Sequence, residues 1–184
     1  MMTPRRKPRR GWSIVLLSHD GLEHCSNRRA AWKEKGSSVA ATEAMTAMPW
    51  IQWLDLDTEL GSDGSVRATL SRTKAEHVNH NGHVNAPVVY GVAEVAGAGA
   101  AVVAAGSAGS GAYTVIKSAA IEYRRPARGG ISAESRVDTE TVAEIQRALE
   151  AGGRCDIDVD VELTDADGAT AGTCRFVVSF RPSR

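Results

Sequence analysis

The apolar positions first gather between residues 48 and 56. MPWIQWLDL sets Trp50, Ile51, Trp53, Leu54 and Leu56 close together, which predicts one short amphipathic turn or helix, and the following DTEL is read with it. The period then changes. In GSVRATLSRTKA, Val66, Ala68 and Leu70 alternate with Arg67, Thr69 and Ser71, as on a strand with one buried face. A polar loop, EHVNHNGHVN, follows. Residues 86–105, APVVYGVAEVAGAGAAVVAA, then form one long run of small apolar residues. Pro87 suits the first turn of a helix, where its missing N–H is not needed.

Past the Gly/Ser break at 106–111, YTVIKSAAIEYRRP predicts a strand stopped before Pro126, and ISAESRVD a second. TETVAEIQRALEAGG predicts a short helix. Thr141 and Glu144 have the spacing of a capping box, Val142, Ile145 and Leu149 share a face, and Gly152 closes the helix. Two long strands finish the chain. In the first, Ile157, Val159, Val161 and Leu163 face inward while Asp156, Asp158, Asp160 and Glu162 face solvent. DADG at 165–168 is the hairpin turn. These elements predict an α+β layer arrangement, an antiparallel sheet wrapped around one long central helix.

Charge adds an asymmetry that the neutral total conceals. Nine of the 22 Lys+Arg but only four of the 22 Asp+Glu lie in residues 1–44. The remainder therefore carries 13 basic and 18 acidic residues, a balance that argues against a nucleic-acid-binding body. Residues 1–44 have no sustained periodicity and are expected to be a disordered basic extension, or to reflect a start assigned upstream of Met45 or Met48. The SIVLL core at 13–17 is short for a secretory signal. Cys25, Cys155 and Cys174 are odd in number and dispersed, which predicts reduced thiols and a cytoplasmic location. The body, 45–184, is long enough for one domain with a real core. Its apolar run has the length of a membrane span, yet Ala and Gly supply little transfer energy and Glu94 interrupts it, so no membrane partner is expected.

That carboxylate is the informative residue. A buried, unpaired acid is costly unless it has a task. Asn79, Gly82 three residues on, Asn85 six on and Glu94 fifteen on resemble the PaaI-like branch of the hotdog-fold thioesterases. That family shows N-x-x-G-x-x-H-G-G before its central helix and an Asp or Glu inside it. YRRPARGG at 123–130 and VELTDADGATAGT resemble its strand-ending basic segment and its final hairpin, so the likeness spans about residues 48–181. Here Asn85-Ala86-Pro87 stands in place of H-G-G, similar to a subgroup in which the histidine is replaced and the helical Glu retained. The resemblance implies a hotdog fold, an acyl-CoA thioester substrate, no further cofactor, and a homodimer or homotetramer with its sites at the interface.

The residues support compatible chemistry. A helix start offers free N–H groups and a positive dipole end for a developing oxyanion. A carboxylate two turns further in, among Val, Ala and Gly, is poorly solvated and correspondingly basic, fit to deprotonate water or to attack directly. By resemblance, Glu94 is the base or nucleophile, Asn79 and Asn85 orient water or the thioester, and the amide of Ala86 faces the carbonyl oxygen. Gly82, His83 and Tyr90 are expected near the substrate. Arg124, Arg125 and Arg128, with Lys117, suit the phosphates of coenzyme A. His77, His80 and His83, at steps of three, have no clear fourth ligand, and no metal site is expected. Two alternatives remain: a non-catalytic acyl-CoA-binding hotdog protein, and a hotdog hydratase or dehydratase.

Overall fold

The computed structural model describes residues 45–182, and the basic extension expected at 1–44 lies outside them. Six strands form one antiparallel sheet: β1 (Asp57–Leu60), β2 (Val66–Leu70), β3 (Ala112–Tyr123), β4 (Ile131–Ser135), β5 (Cys155–Asp165) and β6 (Thr170–Pro182). Their order in space is β1-β2-β4-β5-β6-β3. The α-helices packed with the sheet are α1 (Pro49–Leu54), the central α2 (Ala86–Ala105) and α3 (Thr139–Glu150). α2 crosses the inner face of the sheet, between β2 and β3 in the chain, and α3 packs beside it. This is the expected α+β arrangement of a sheet around one helix.

Small residues let helix and sheet come close. A Cβ built on Gly97 would meet Phe176 Cδ2 at 2.8 Å and Val161 Cγ2 at 3.0 Å, and both of those side chains are fully buried. Glycine is therefore required there by the approach of β5 and β6, and not by backbone conformation. Helix 86–109 is long and apolar enough to cross a membrane, but 72% of its most apolar window is buried inside the protein. It is the core helix of this domain, with Val88, Val92, Ala93, Ala96 and Ala101 in one cluster with Val161, Phe176 and Val178.

Alternation is clean on β5, where Ile157, Val159, Val161 and Leu163 are buried and Asp156, Asp158, Asp160 and Glu162 exposed. The outer carboxylates meet cations across the sheet, with Arg175 Nε 2.6 Å from Asp160 Oδ1 and Lys117 Nζ 2.7 Å from Asp156 Oδ2. Exposed pairs of this kind add little stability. The DADG turn forms as expected. Asp165 N donates to Ala169 O at 2.9 Å, Gly168 N to Asp165 O at 3.0 Å, and Gly168 takes φ 78.

Two local expectations are corrected. The first helix stops at Leu54, because Asp55 adopts a left-handed C-cap with φ 60. DTEL then becomes β1, pairing with β2 from Asp57↔Thr69 to Leu60↔Val66. Aspartate tolerates that backbone better than most residues, so no glycine marked the break. The second concerns α3. Its N-cap is Asp138, whose Oδ1 accepts from Thr141 N at 2.9 Å and whose Oδ2 accepts from Thr141 Oγ1 at 2.7 Å. Thr141 is thus inside the helix, and the earlier residue with a carboxylate takes the cap. Gly152, at φ 69, ends the helix where expected.

Candidate active site

The loop before α2 is built by its own side chains. Asn79 O accepts from Gly82 N at 2.9 Å, and Asn79 Oδ1 accepts from Asn81 N at 2.9 Å and His83 N at 3.3 Å. Gly82 closes this turn at φ 71, a conformation that favours glycine. Val84 N donates to Ala127 O at 2.9 Å, tying the loop to the segment between β3 and β4. Asn85 N donates to His77 O at 2.8 Å, which fixes the point where the helix begins.

Asn85 is the N-cap of α2, and its side chain makes no capping bond. Its carbonyl instead accepts from Val88 N at 2.9 Å and Val89 N at 3.0 Å. Pro87 has no N–H to offer. Ala86 therefore carries the one amide hydrogen of the first turn without a partner among the described residues, and Ala86 is exposed. An unpartnered N–H at the positive end of a 20-residue helix suits an oxyanion or carbonyl oxygen.

Along α2, Tyr90, Glu94, Ala98 and Val102 recur every four residues as a half-exposed stripe on a helix otherwise buried nearly all round. Glu94 lies in the middle of it. Burial holds its carboxyl above the usual carboxylate range, with no cation among the described residues opposing the effect. Tyr90, one turn earlier, meets Phe176 edge-to-face at a centroid distance of 5.7 Å. Burial, and then the Glu94 charge, raise the pKa of its phenol. Cys174 faces the same space from β6. Its thiol is pushed up to about 11 by burial and then by Glu94, so it stays protonated at neutral pH. Tyr123, at the end of β3, donates from its OH to Ala86 O at 3.3 Å and links that strand to the helix start.

The basic residues separate. Lys117 sits at a bulge in mid-β3 on Asp156, away from the arginines with which the sequence grouped it. Arg124 pairs with Glu122 at 3.2 Å, and Arg125 Nε lies 3.4 Å from Asp165, a carboxylate buried in the β5–β6 turn. Arg128 is exposed, next to the Ala127 carbonyl that holds Val84, at the same end of the molecule as the helix start. Among the described residues no three His, Cys, Asp or Glu side chains come together as a metal-holding group. His77 is fully buried, His80 exposed and His83 half-buried.

Sequence reasoning did not single out Cys174 or Tyr123. The alternation of β6 marks Cys174, Phe176 and Val178 as one face. Only the register Ile121↔Cys174 and Tyr123↔Gly172 shows that β3 delivers its residues to that face of α2.

Comparisons with known proteins place this architecture. No curated protein matches the sequence significantly. Among solved structures, PA5026 from Pseudomonas aeruginosa, a protein of unknown function also named a probable thioesterase, is 24% identical, with 80% of this chain and 97% of that one covered and a TM-score of 0.67. The thioesterase HI1161 from Haemophilus influenzae is 14% identical, with 83% and 95% covered and a TM-score of 0.61. The E. coli PaaI protein from the phenylacetic acid degradation operon is 17% identical, with 79% and 94% covered and a TM-score of 0.59. These likenesses establish the hotdog fold of the domain. The family described as Domain of unknown function (DUF4442) matches residues 36–179, and this chain, with its sheet wrapped around an acid-bearing helix, belongs to that family.

Proposed function

We propose that this protein hydrolyses an acyl-CoA thioester, with Glu94 as general base or nucleophile and the Ala86 amide as oxyanion donor. The observation that carries this reading is a desolvated carboxylate and an unpartnered helix-start N–H on the same helix. Each would serve one half of acyl transfer: the acid activates water or attacks the carbonyl carbon, and the amide steadies the negative oxygen. Structural neighbours named as thioesterases on the same fold support the reaction class.

Distance implies an assembly. Glu94 lies eight residues after Ala86, which at about 1.5 Å per residue puts them roughly 12 Å apart along α2. One thioester carbon cannot be within about 3.5 Å of both groups of a single chain. A second copy would solve this if its helix start faced Glu94 of the first. β3 offers the surface for such pairing. It is the outermost strand next to β6, runs 12 residues, and leaves Tyr113, Val115 and Tyr123 exposed. A long uncovered edge is a template for another strand. The proposed unit is therefore a homodimer paired through β3, with two composite sites and Arg128 near the coenzyme A phosphates of each.

The test is release of free thiol from short, medium, long and aromatic acyl-CoAs by the purified wild-type protein. Release from at least one class is expected. An acyl-CoA that binds but stays intact after long incubation would leave an acyl-CoA-binding protein, and a changed acyl chain without thiol release would indicate a hydratase or dehydratase.

A further inference from the structure

Four polar or charged side chains are buried among the described residues, and three of them have their hydrogen bonds. Ser135 Oγ donates to Asp160 O at 2.7 Å, Asp165 Oδ1 accepts from Ala169 N at 2.9 Å, and Ser179 Oγ accepts from Arg181 Nε at 3.3 Å. His77, 0% exposed, is the exception: its Nε2 has no hydrogen-bond partner among the described residues. Its Nδ1 accepts from Lys74 N at 3.3 Å, which puts the ring proton on Nε2. A buried donor without an acceptor is costly, so packing alone favours an apolar ring at this position.

The carbonyl of the same residue holds the point where α2 begins. His77 O accepts from Asn85 N at 2.8 Å, Val78 bridges Val84, and Asn79 N donates to His83 O at 2.8 Å. Residues 77–85 thus close on themselves, with His77 and Asn85 at the base. Ala86 comes next, with the unpartnered N–H that the proposed reaction uses as oxyanion donor. Peptide units are rigid planes, and only φ and ψ of Asn85 lie between the amide that His77 holds and the amide of Ala86. Those angles are −68 and 141. A shift of the loop base therefore passes directly into the direction of the Ala86 N–H.

Two contacts keep the His77 ring from turning. The main-chain N–H of Lys74 grips Nδ1 across the short 3₁₀ turn Ala75–His77, whose backbone bond runs from His77 N to Lys74 O at 3.0 Å. Trp53 of α1 meets the ring edge-to-face at 5.3 Å and 77°. The place asks for a flat ring with an acceptor close to the main chain. Phenylalanine supplies the ring without the acceptor, asparagine the acceptor without the ring, and histidine supplies both. The idle Nε2 is what that combination leaves over.

We propose that His77 is a positioning residue: its ring, gripped through Nδ1 and packed on Trp53, fixes the base of the loop and thereby aims the Ala86 N–H. The proposal rests on the acyl-CoA reading above and names a residue that serves its oxyanion half without touching the substrate. A donor aimed wrongly by a fraction of an ångström still lets acyl-CoA bind, but it no longer meets the oxygen on which charge develops. Loss of the grip on the ring therefore shows in the rate and not in the affinity.

The experiment pairs the single-turnover rate of thiol release, from an acyl-CoA that the wild type cleaves, with the Kd of S-hexyl-coenzyme A, a non-hydrolysable thioether. His77→Phe should slow the rate about 10- to 100-fold and change Kd by less than about twofold. His77→Asn, which returns the acceptor, should recover most of that rate. In an Ala86→Pro chain, which has no amide hydrogen to aim, His77→Phe should slow the rate by less than about twofold further. A merely structural ring would cost as much there as in the wild type. His77→Gln, which carries its acceptor one carbon too far, should behave as His77→Phe and serves if that variant does not fold. Four results would overturn the positioning role and leave the thioesterase reading intact: a full further loss in the Ala86→Pro chain, equal losses of rate and affinity, no recovery by His77→Asn, or no loss at all. A wild type that cleaves no acyl-CoA would overturn both.

Discussion

Replacing Ala86 by proline removes one hydrogen from the candidate site and very little else. Asn85 already holds φ −68 and ψ 141, the extended backbone preferred before a proline. Proline is well accepted in the first helical turn, and the lost N–H has no intrahelical partner. Thermal stability should therefore stay within about 2 °C of wild type, less than the shift that 1 kcal/mol would cause in a chain of this size. The rate should not be spared. Losing one oxyanion donor lowers turnover roughly 100- to 1000-fold, and Glu94→Gln, which removes the base, lowers it about 100- to 10000-fold. The two variants then test the composite site. Co-expressed with different affinity tags and purified as mixed dimers, they give one site with both groups intact and one with both lost. Such dimers should regain about half of the wild-type activity per dimer. Mixed dimers as inactive as either parent, from variants that fold and pair normally, would refute the reasoning and return the whole site to one chain.

Four further outcomes follow from the structure. Because burial raises the Glu94 pKa and catalysis needs its ionised form, kcat/KM should fall with decreasing pH already above the ordinary carboxylate range. The same shift means that the folded state holds its proton longer than the unfolded state, so the contribution of Glu94 to stability declines as pH rises through that window. Glu94→Gln should remove the decline, seen as a Tm gain at pH 8 larger than at pH 5, and an equal gain at both would contradict it. Gly97→Ala should lower Tm, since overpacking against Phe176 and Val161 costs about 1–3 kcal/mol and outweighs the ~1 kcal/mol gained in helix propensity; a raised Tm would deny the close approach. Cys174, pushed up to about 11, should resist alkylation at pH 8 in the native protein and react on unfolding, followed by mass spectrometry of its peptide. Rapid native labelling would place that thiol elsewhere.

Much of this was legible from residues alone, because the fold rests on periodicities that tertiary context did not override. The two-residue period of Ile157 to Leu163 and the small apolar run around Glu94 lead directly to sheet and core helix. What stayed hidden was decided by single residues or by register. Asp55 broke the first helix without glycine or proline, and Asp138 took a cap that the Thr141–Glu144 spacing had claimed. Asn79, Gly82, Asn85 and Glu94 do lie along one loop and helix. The structure nonetheless engages the Asn79 oxygen in the loop's own turn, and shows that Ala86 has the free amide. Cys174 and Tyr123 reach α2 only through the β3–β6 register, which no local pattern encodes. The arginines looked alike in sequence, yet Arg125 leans on buried Asp165 while Arg128 remains open at the helix start.

The central claim, that Glu94 does chemistry and not merely binding, is tested most directly by measuring both properties on wild type and Glu94→Gln. The measurement pairs the Kd for S-hexyl-coenzyme A with the single-turnover rate of thiol release from an acyl-CoA that the wild type cleaves. An unchanged Kd with a rate at least about 100-fold slower in the variant is the predicted result. A variant that releases thiol as fast as wild type would contradict it.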